Sequence, residues 1–393
     1  MSVWDDVVGQ PDAVATLRRA ATDPAAMTHA WLVTGPPGSG RSVAARAFAA
    51  ALQCDGPQGA GPPGPRGSAS GGGCGECRAC TTTLAGTHPD LTVVATDKVV
   101  ITIDEVRDLI MTAARTPSSG RFRVIVVEDA DRMAERTTNV LLKAIEEPPP
   151  HTVWVLCAPS AQDVLPTIRS RCRGVVLRVP PARDVADLLV RRDGIDPAVA
   201  LTAARAAQSH VGLARRLARD SAARERRDAV LEIARRIRGV GDAVLAAGEL
   251  VDVAKAEALA ATAERDAVEK AELMRALGVQ EGDTLPPRLR SQLKQLEDDQ
   301  KRRATRRQRD VLDRSMVDLL SLYRDVLVVQ LGATVDLVNA EHDGAVRALA
   351  ADSTPEQTIR RMDAIGVARE RLEGNVAPLL ALEAMAVALR PQG

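Results

Sequence analysis

The sequence predicts an α/β core over its first 180 residues and an all-helical remainder. Three observations carry that prediction. Short apolar, β-branched runs alternate with amphipathic helices up to Pro180-Pro181. A glycine-rich turn joins the first of those runs to the helix behind it. Strand signals then stop. Strands separated by helices form a parallel sheet buried on both faces.

In order, HAWLVTG (29–35) reads as a strand ending at a glycine turn, and SVAARAFAAALQC (42–54) as a strong helix. RFRVIVVEDAD (121–131) is a strand running into acids, and TTNVLLKAIEEPPP (137–150) a helix stopped by prolines. TVWVLCAPS (152–160) and GVVLRV (174–179) are further strands. ARDVADLLVRRD and PAVALTAARAAQSHVGLARRLARD read as short helices. From about 221 the chain is helical, with breaks near Gly239–Gly241, Gly278–Pro287 and Ser353–Pro355. The expected domains are a core at 1–180, a small helical domain at 181–220 and a larger helical domain at 221–393. DGPQGAGPPGPRGSASGGG (55–73) lacks the apolar content to pack and reads as a mobile loop.

Composition narrows the function classes. Lys+Arg and Asp+Glu both number 52, which argues against a wholesale binder of nucleic acid or membrane surface, though not against a local basic patch. Arginine outweighs lysine, as in GC-rich genomes, so Arg for Lys on the surface carries no message. The N-terminus lacks a basic stretch followed by an apolar core, and no apolar run is long enough to span a bilayer. The expectation is a cytoplasmic protein without membrane contact. Its 6 cysteines then read as metal ligands or buried thiols, not disulfides.

Four motifs carry chemistry. GPPGSGRS (35–42) fits the phosphate-loop pattern G-x-x-x-x-G-K-[ST] except that Arg41 replaces the lysine. Gly35, Gly38 and Gly40 let backbone N–H groups approach an anion at a helix N-terminus, and Ser42 is placed to ligate Mg²⁺. Arginine keeps the charge but is longer and fork-shaped, so the exchange is not conservative at a tight site. A ligand-free glycine turn is the plain alternative. In VIVVEDADRM (124–133), Glu128 and Asp129 sit at a strand tip where phosphate-loop ATPases place Asp for the metal, then Glu for water. The reversed order shifts each carboxylate by a methylene and weakens a catalytic reading; solvated strand-end acids are the alternative. Cys74, Cys77 and Cys80 form C-x-x-C-x-x-C, with Cys54 ahead across the glycine loop. Four thiolates suit structural zinc in a module spanning 54–80, with an iron–sulfur cluster or free thiols as alternatives. Cys157 reads as core. LPTIRSRC (165–172) places Arg171 and Cys172 at a helix end, where a lone Arg is usually a surface residue.

VVGQ (7–10), THAWLVTGPPGSGRS (28–42), the four cysteines, HPDLTVV (88–94), VIVVEDADRM, NVLLKAIEEPPPHTVWVL (139–156) and LPTIRSRCRGVVLRV (165–179) together resemble, in order, the bacterial clamp-loader ATPases of the AAA+ group. VGLARRLARD (211–220) is similar to that family's sensor-2 helix, with Arg215 at the arginine position. The gamma/tau motor subunits keep the lysine, the Asp-Glu order and threonines where this chain has Ala158-Pro159-Ser160. Those departures, beside an intact Ser170-Arg171-Cys172, resemble the delta-prime subunits of DNA polymerase III. The resemblance implies an AAA+ core with a zinc module, a helical lid and a helical collar. It implies weak or absent ATPase activity of its own, with ATP or ADP and Mg²⁺ at a degenerate site made by Gly35, Gly38, Gly40, Arg41, Ser42, Glu128, Asp129 and Arg215. It implies that Arg171 is an arginine finger acting in trans. The implied partners are gamma/tau and delta subunits in a pentamer, with the sliding clamp and primed DNA met through the complex. A self-sufficient motor subunit of the same ring is the alternative. PRLRSQLKQLEDDQKRRATRRQR (287–309) holds nine Lys/Arg and three acids; a long solvated helix is its plainer reading, contact with DNA or a partner the other. It has no aromatics to stack bases.

Overall fold

The computed structural model describes residues 2–56, 72–95, 100–276, 287–374 and 376–391. They form two compact units, Met1–Arg219 and Asp220–Gly393. Most of the low-complexity loop at 55–73 lies outside the described residues.

The first unit runs α1 (Pro11–Thr22), β1 (Ala30–Thr34), α2 (Arg41–Gln53), α3 (Arg78–Leu84), β2 (Leu91–Val94), α4 (Ile103–Ala113) and β3 (Arg123–Val127). It continues with α5 (Glu135–Glu146), β4 (Thr152–Ala158), α6 (Pro166–Arg169), β5 (Arg173–Val176), α7 (Ala182–Asp193), α8 (Pro197–Ala206) and α9 (Val211–Arg219). The five strands are all parallel, in the order β2-β3-β4-β1-β5.

Side-chain alternation decides which residues face which layer. Trp31, Val33, Val124, Val126, Val153, Val155 and Cys157 point to the side covered by α1 and α2. Leu32, Ile125, Val127, Trp154 and Leu156 point to the side covered by α4, α5 and α6. The central strands therefore read as unbroken apolar runs. Local chemistry sets the helix starts. Thr102 and Glu105 close a capping box on α4, and Asp196 caps α8 ahead of Pro197. Gly194, at φ +66°, ends α7 in the left-handed conformation that glycine tolerates.

Two differences from the sequence reading stand out. The sheet has a fifth strand, β2, inside HPDLTVV, too short to register as a run. The final strand ends at Val176 and not Val179, although Leu177 N–H still donates to Thr34 O at 2.7 Å.

Asp90, just before β2, is fully buried. Its carboxylate meets Arg123 at 3.0 Å and accepts the backbone N–H groups of Ser118, Ser119 and Gly120 at 2.7–2.8 Å. Burial alone would raise its pKa. The N–H donors of Ser118, Gly120 and Ser119, with the Ser118 hydroxyl, outweigh burial and hold it well below the usual carboxylate range.

The second unit is helical: α10 (Ser221–Arg236), α11 (Val240–Ala276), α12 (Pro287–Gln330), α13 (Asp343–Ala351), α14 (Pro355–Glu373) and α15 (Pro378–Leu389). Its core gathers Leu231, Ile233, Leu312, Leu319, Tyr323, Ile365, Leu382 and Met385. Inside it, Arg227 reaches Asp318 at 3.1 Å and donates to Asn339. Asp325, fully buried, accepts the N–H of Asn339 at 2.7 Å. Buried charge is tolerated here because it is paired and hydrogen-bonded. Among the described residues no helix is long and apolar enough to cross a membrane.

Candidate functional site

The strand register brings the phosphate-loop residues together. Thr34 pairs with Ala158, and Val127 with Leu156, so Gly35, Glu128 and Pro159 leave the same carboxyl edge of the sheet. In open α/β sheets, ligands bind at that edge.

The loop is shaped to take an anion. A Cβ on Gly35 would lie 2.6 Å from Leu177 O and 2.6 Å from Ser39 Oγ, so no side chain fits there. Gly38 and Gly40 have φ of +86° and +88°. Ser39 N–H closes the turn on Pro36 O at 3.1 Å, and Gly40 caps α2 through Ala44 N–H at 2.8 Å. Gln10 ties the loop down. Its Nε2 donates to Ser39 O at 3.2 Å and to Arg178 O at 2.5 Å, which gives the VVGQ motif a structural purpose.

The charged residues are differently placed. Arg41 turns back and donates to Gly35 O, the first carbonyl of its own loop. Glu128 is gripped by Arg46, one turn further along α2, with Nε and NH2 both on Oε1 at 3.1 and 2.8 Å. Arg46 was not singled out by the sequence reading; its only signal is its position four residues after Ser42. Asp129 pairs with Arg132 at 3.7 Å. Asp131 is shifted upward, by burial first and then by the neighbouring Asp129. Cys157 is buried in β4 beneath these groups, and burial followed by the Glu128 charge pushes its thiol up to about 12. Ser160 caps a short 3₁₀ turn at 161–163. The backbone cradle therefore fits a phosphate. Of the carboxylate oxygens beside it, Glu128 Oε1 is already engaged by Arg46.

His210 is a second residue the sequence reading missed. Its Cα and Cβ lie 3.1 Å from where a Gly38 Cβ would be, and its Nδ1 accepts Leu213 N–H at 3.2 Å at the start of α9. A glycine facing a helix N-terminus is visible only in three dimensions.

Arg215 lies on α9, outside the loop, and is ion-paired. It converges with Arg219 on Oδ1 of buried Asp193, at 2.9 and 3.0 Å. Arg171 is also outside the loop. It meets Glu146 of α5 at 2.6 Å and donates to Thr167 O at 2.8 Å, with its side chain 39% exposed.

The four cysteines form a separate centre. Cys54 follows α2, Cys77 caps α3, and Cys80 lies in the first turn of α3. The sulfurs of Cys54, Cys74, Cys77 and Cys80 all lie within 4.8 Å of one another. Backbone N–H groups of Cys74, Cys77 and Cys80 point at sulfurs at 3.3–3.4 Å. Cys54 is lowered to about 4, chiefly by the hydrogen bond from Cys80, while Cys77, mainly through burial, and Cys80, mainly through that same bond, are raised. Four sulfurs at this spacing fit a tetrahedral Zn²⁺, whose ligands stand about 3.8 Å apart at Zn–S distances of ~2.3 Å. Zinc here would fasten the C-terminal end of α2, the helix whose N-terminus carries the phosphate loop. The N-terminal segment packs on the same centre, with Trp4 Nε1 donating to Gly72 O at 2.7 Å.

The sequence family described as "DNA polymerase III, delta subunit" matches residues 9–181. Among curated relatives, the DNA polymerase III subunit delta' of Pseudomonas aeruginosa is 37% identical over 44% of this chain and 50% of its own length. The subunit delta' of Escherichia coli is 32% identical over 47% of this chain and 53% of its own. The subunit gamma/tau of Mycobacterium tuberculosis is 33% identical over 47% of this chain and 30% of its own. The chain thus spans about half the length of the delta' relatives it matches, and the matched part is the α/β core with its phosphate loop.

Proposed function

We propose that this chain is a delta-prime-type clamp-loader subunit of DNA polymerase III: a stator whose own phosphate loop does not turn over ATP and whose Arg171 serves a neighbouring subunit's site. The observation that carries this reading is the contrast between the two arginine environments. At the chain's own loop, Arg41 is spent on Gly35 O and Arg46 covers Glu128. Arg171 stands away from that loop at the end of a short helix, part-exposed, and its pair with the equally part-exposed Glu146 at 2.6 Å is one that a neighbouring protomer's phosphate would replace. An arginine in that position offsets negative charge at a γ-phosphate held next door. On this reading α7–α9 form the lid and the second unit the collar that joins gamma/tau and delta subunits around the clamp and primed DNA. Zinc is the structural metal of Cys54, Cys74, Cys77 and Cys80. Any ATP or ADP in the loop is held by the backbone cradle, and Asp129 and Arg215 do not take part in turnover.

ATP turnover by the purified chain, alone and in the assembled loader, is the test. The chain alone is expected to be inactive. Arg171→Ala is expected to leave assembly intact and to slow turnover at the neighbour's site by roughly a thousandfold, the worth of an arginine finger. Turnover by the chain alone, abolished by Arg41→Ala, would instead make it a motor of the gamma/tau type. Unchanged turnover in the Arg171→Ala loader would remove the finger.

A further inference from the structure

The second unit's hydrophobic core ends at Ala258 on α11 and resumes at Val311 on α12. Between them, no described residue of 259–275 or 290–310 is buried. These stretches pair side by side as a polar two-helix arm, whose α11 part is about 27 Å long at ~1.5 Å per residue. Its seam is ionic. Arg303 reaches Asp266 at 2.7 Å and Glu269 on α11, Gln300 donates to Asp266 O at 2.9 Å, and Lys270 meets Glu297 at 3.8 Å.

That seam uses up acids of α11 and leaves a one-sided charge. Residues 290–309 carry eight Lys/Arg against three acids. At ~100° per residue, Arg303, Gln300 and Glu297 fall on the side facing α11. Lys294, Lys301, Arg302, Arg306 and Arg309 fall on the other half, with Asp298 and Asp299 the acids among them, and Arg302 meets Asp299 at 3.5 Å. Lys294, Lys301 and Arg302 are exposed. A helix needs no such sign bias to stay in solution; alternating signs do that better and add pairing along the helix.

We infer that this arm is a binding surface for the phosphate backbone of duplex nucleic acid. A row of long cations on a rigid, core-free helix matches a regular line of phosphates, to which Arg and Lys bind without reading sequence. The described arm has no aromatic side chain, so it offers no platform for unstacked bases, which favours a duplex over a single strand. The inference does not rest on the assignment of Arg171 or of the loop; it concerns a part of the chain that the family match at 9–181 does not reach.

The test uses the full chain and a fluorescein-labelled 20-base-pair duplex of arbitrary sequence, followed by anisotropy across a salt series. A single strand of equal length and a polyglutamate peptide are run in parallel. Duplex binding is expected, with log K falling linearly against log salt. Lys294→Gln, Lys301→Gln and Arg302→Gln combined should flatten that slope by about 2 to 3 and weaken binding roughly tenfold or more at low salt, since each phosphate contact is worth about 0.9 of slope. Circular dichroism of the triple variant should match the parent. As a second variant, Lys294→Gln with Lys301→Gln should flatten the slope by about 1 to 2. Equal duplex affinity and slope in parent and both variants, preference for the single strand, or binding of polyglutamate in place of duplex would each overturn the inference.

Discussion

At the scale of single residues, two buried or half-buried ion pairs do opposite things. Arg46 engages Oε1 of Glu128 beside the phosphate loop, which on the stator reading leaves one carboxylate oxygen fewer for a metal. Asp90 on Arg123 holds the fold: it fixes the turn at 118–120 and the start of β2. Removing one partner strands a buried guanidinium, so Asp90→Ala should cost about 3 kcal/mol or more. Trp4, Trp31 and Trp154 all lie in the first unit, so denaturant unfolding followed by tryptophan fluorescence reads that loss directly. A change under about 1 kcal/mol would show that the pair holds little. The pH dependence has a defined sign. Asp90 has a lowered pKa when folded, so the unfolded chain binds its proton first. Its stabilising contribution is complete above about pH 4 and drains away as pH falls towards the folded value. The variant should show a shallower acid limb.

At the scale of elements, α2 matters most. Its N-terminus is shaped by Gly38 and Gly40, and its C-terminus runs into Cys54. If zinc joins Cys54 to Cys74, Cys77 and Cys80, a chelator or Cys77→Ser should lower the thermal midpoint of the tryptophan signal by about 5 °C or more. Trp4 reports on this centre through its bond to Gly72 O. An unchanged midpoint in metal-depleted protein would mean the thiols are held by packing alone. The elements most legible in the sequence were those with their own punctuation. β1 ends in glycines, and α5 is followed by three prolines. β2 was missed because four residues next to a turn give no period, and what fixes them is the neighbouring β3. Helix α4 was likewise not foreseen, although Thr102 and Glu105 spell out its capping box.

At the scale of the whole molecule, each unit has its own core, and the two cores share no residue. Heating is therefore expected to show two transitions by far-ultraviolet circular dichroism. Only one of them should be accompanied by the tryptophan change, because the second unit has Tyr323 but no tryptophan. A single transition by both probes would show that the units melt together. The candidate site is confined to the first unit, as is the family match at 9–181. The basic arm belongs to the second.

The sequence by itself determined the chemistry available: the glycine spacing of the loop, the exchanged lysine, the reversed acids, the four thiols and the intact Arg171. These are local patterns, and local patterns survive being read along a line. Only the tertiary structure decided which groups meet. It set Arg46 on Glu128, His210 on Gly38, and Arg215 on Asp193. It also showed that the basic stretch of α12 lies beyond the core, against acids of α11. The physical reason is the same in each case. An ion pair or a close packing contact depends on distances across the fold, between residues 82 positions apart for Arg46 and Glu128 and 172 apart for Gly38 and His210, and no spacing along the chain encodes them.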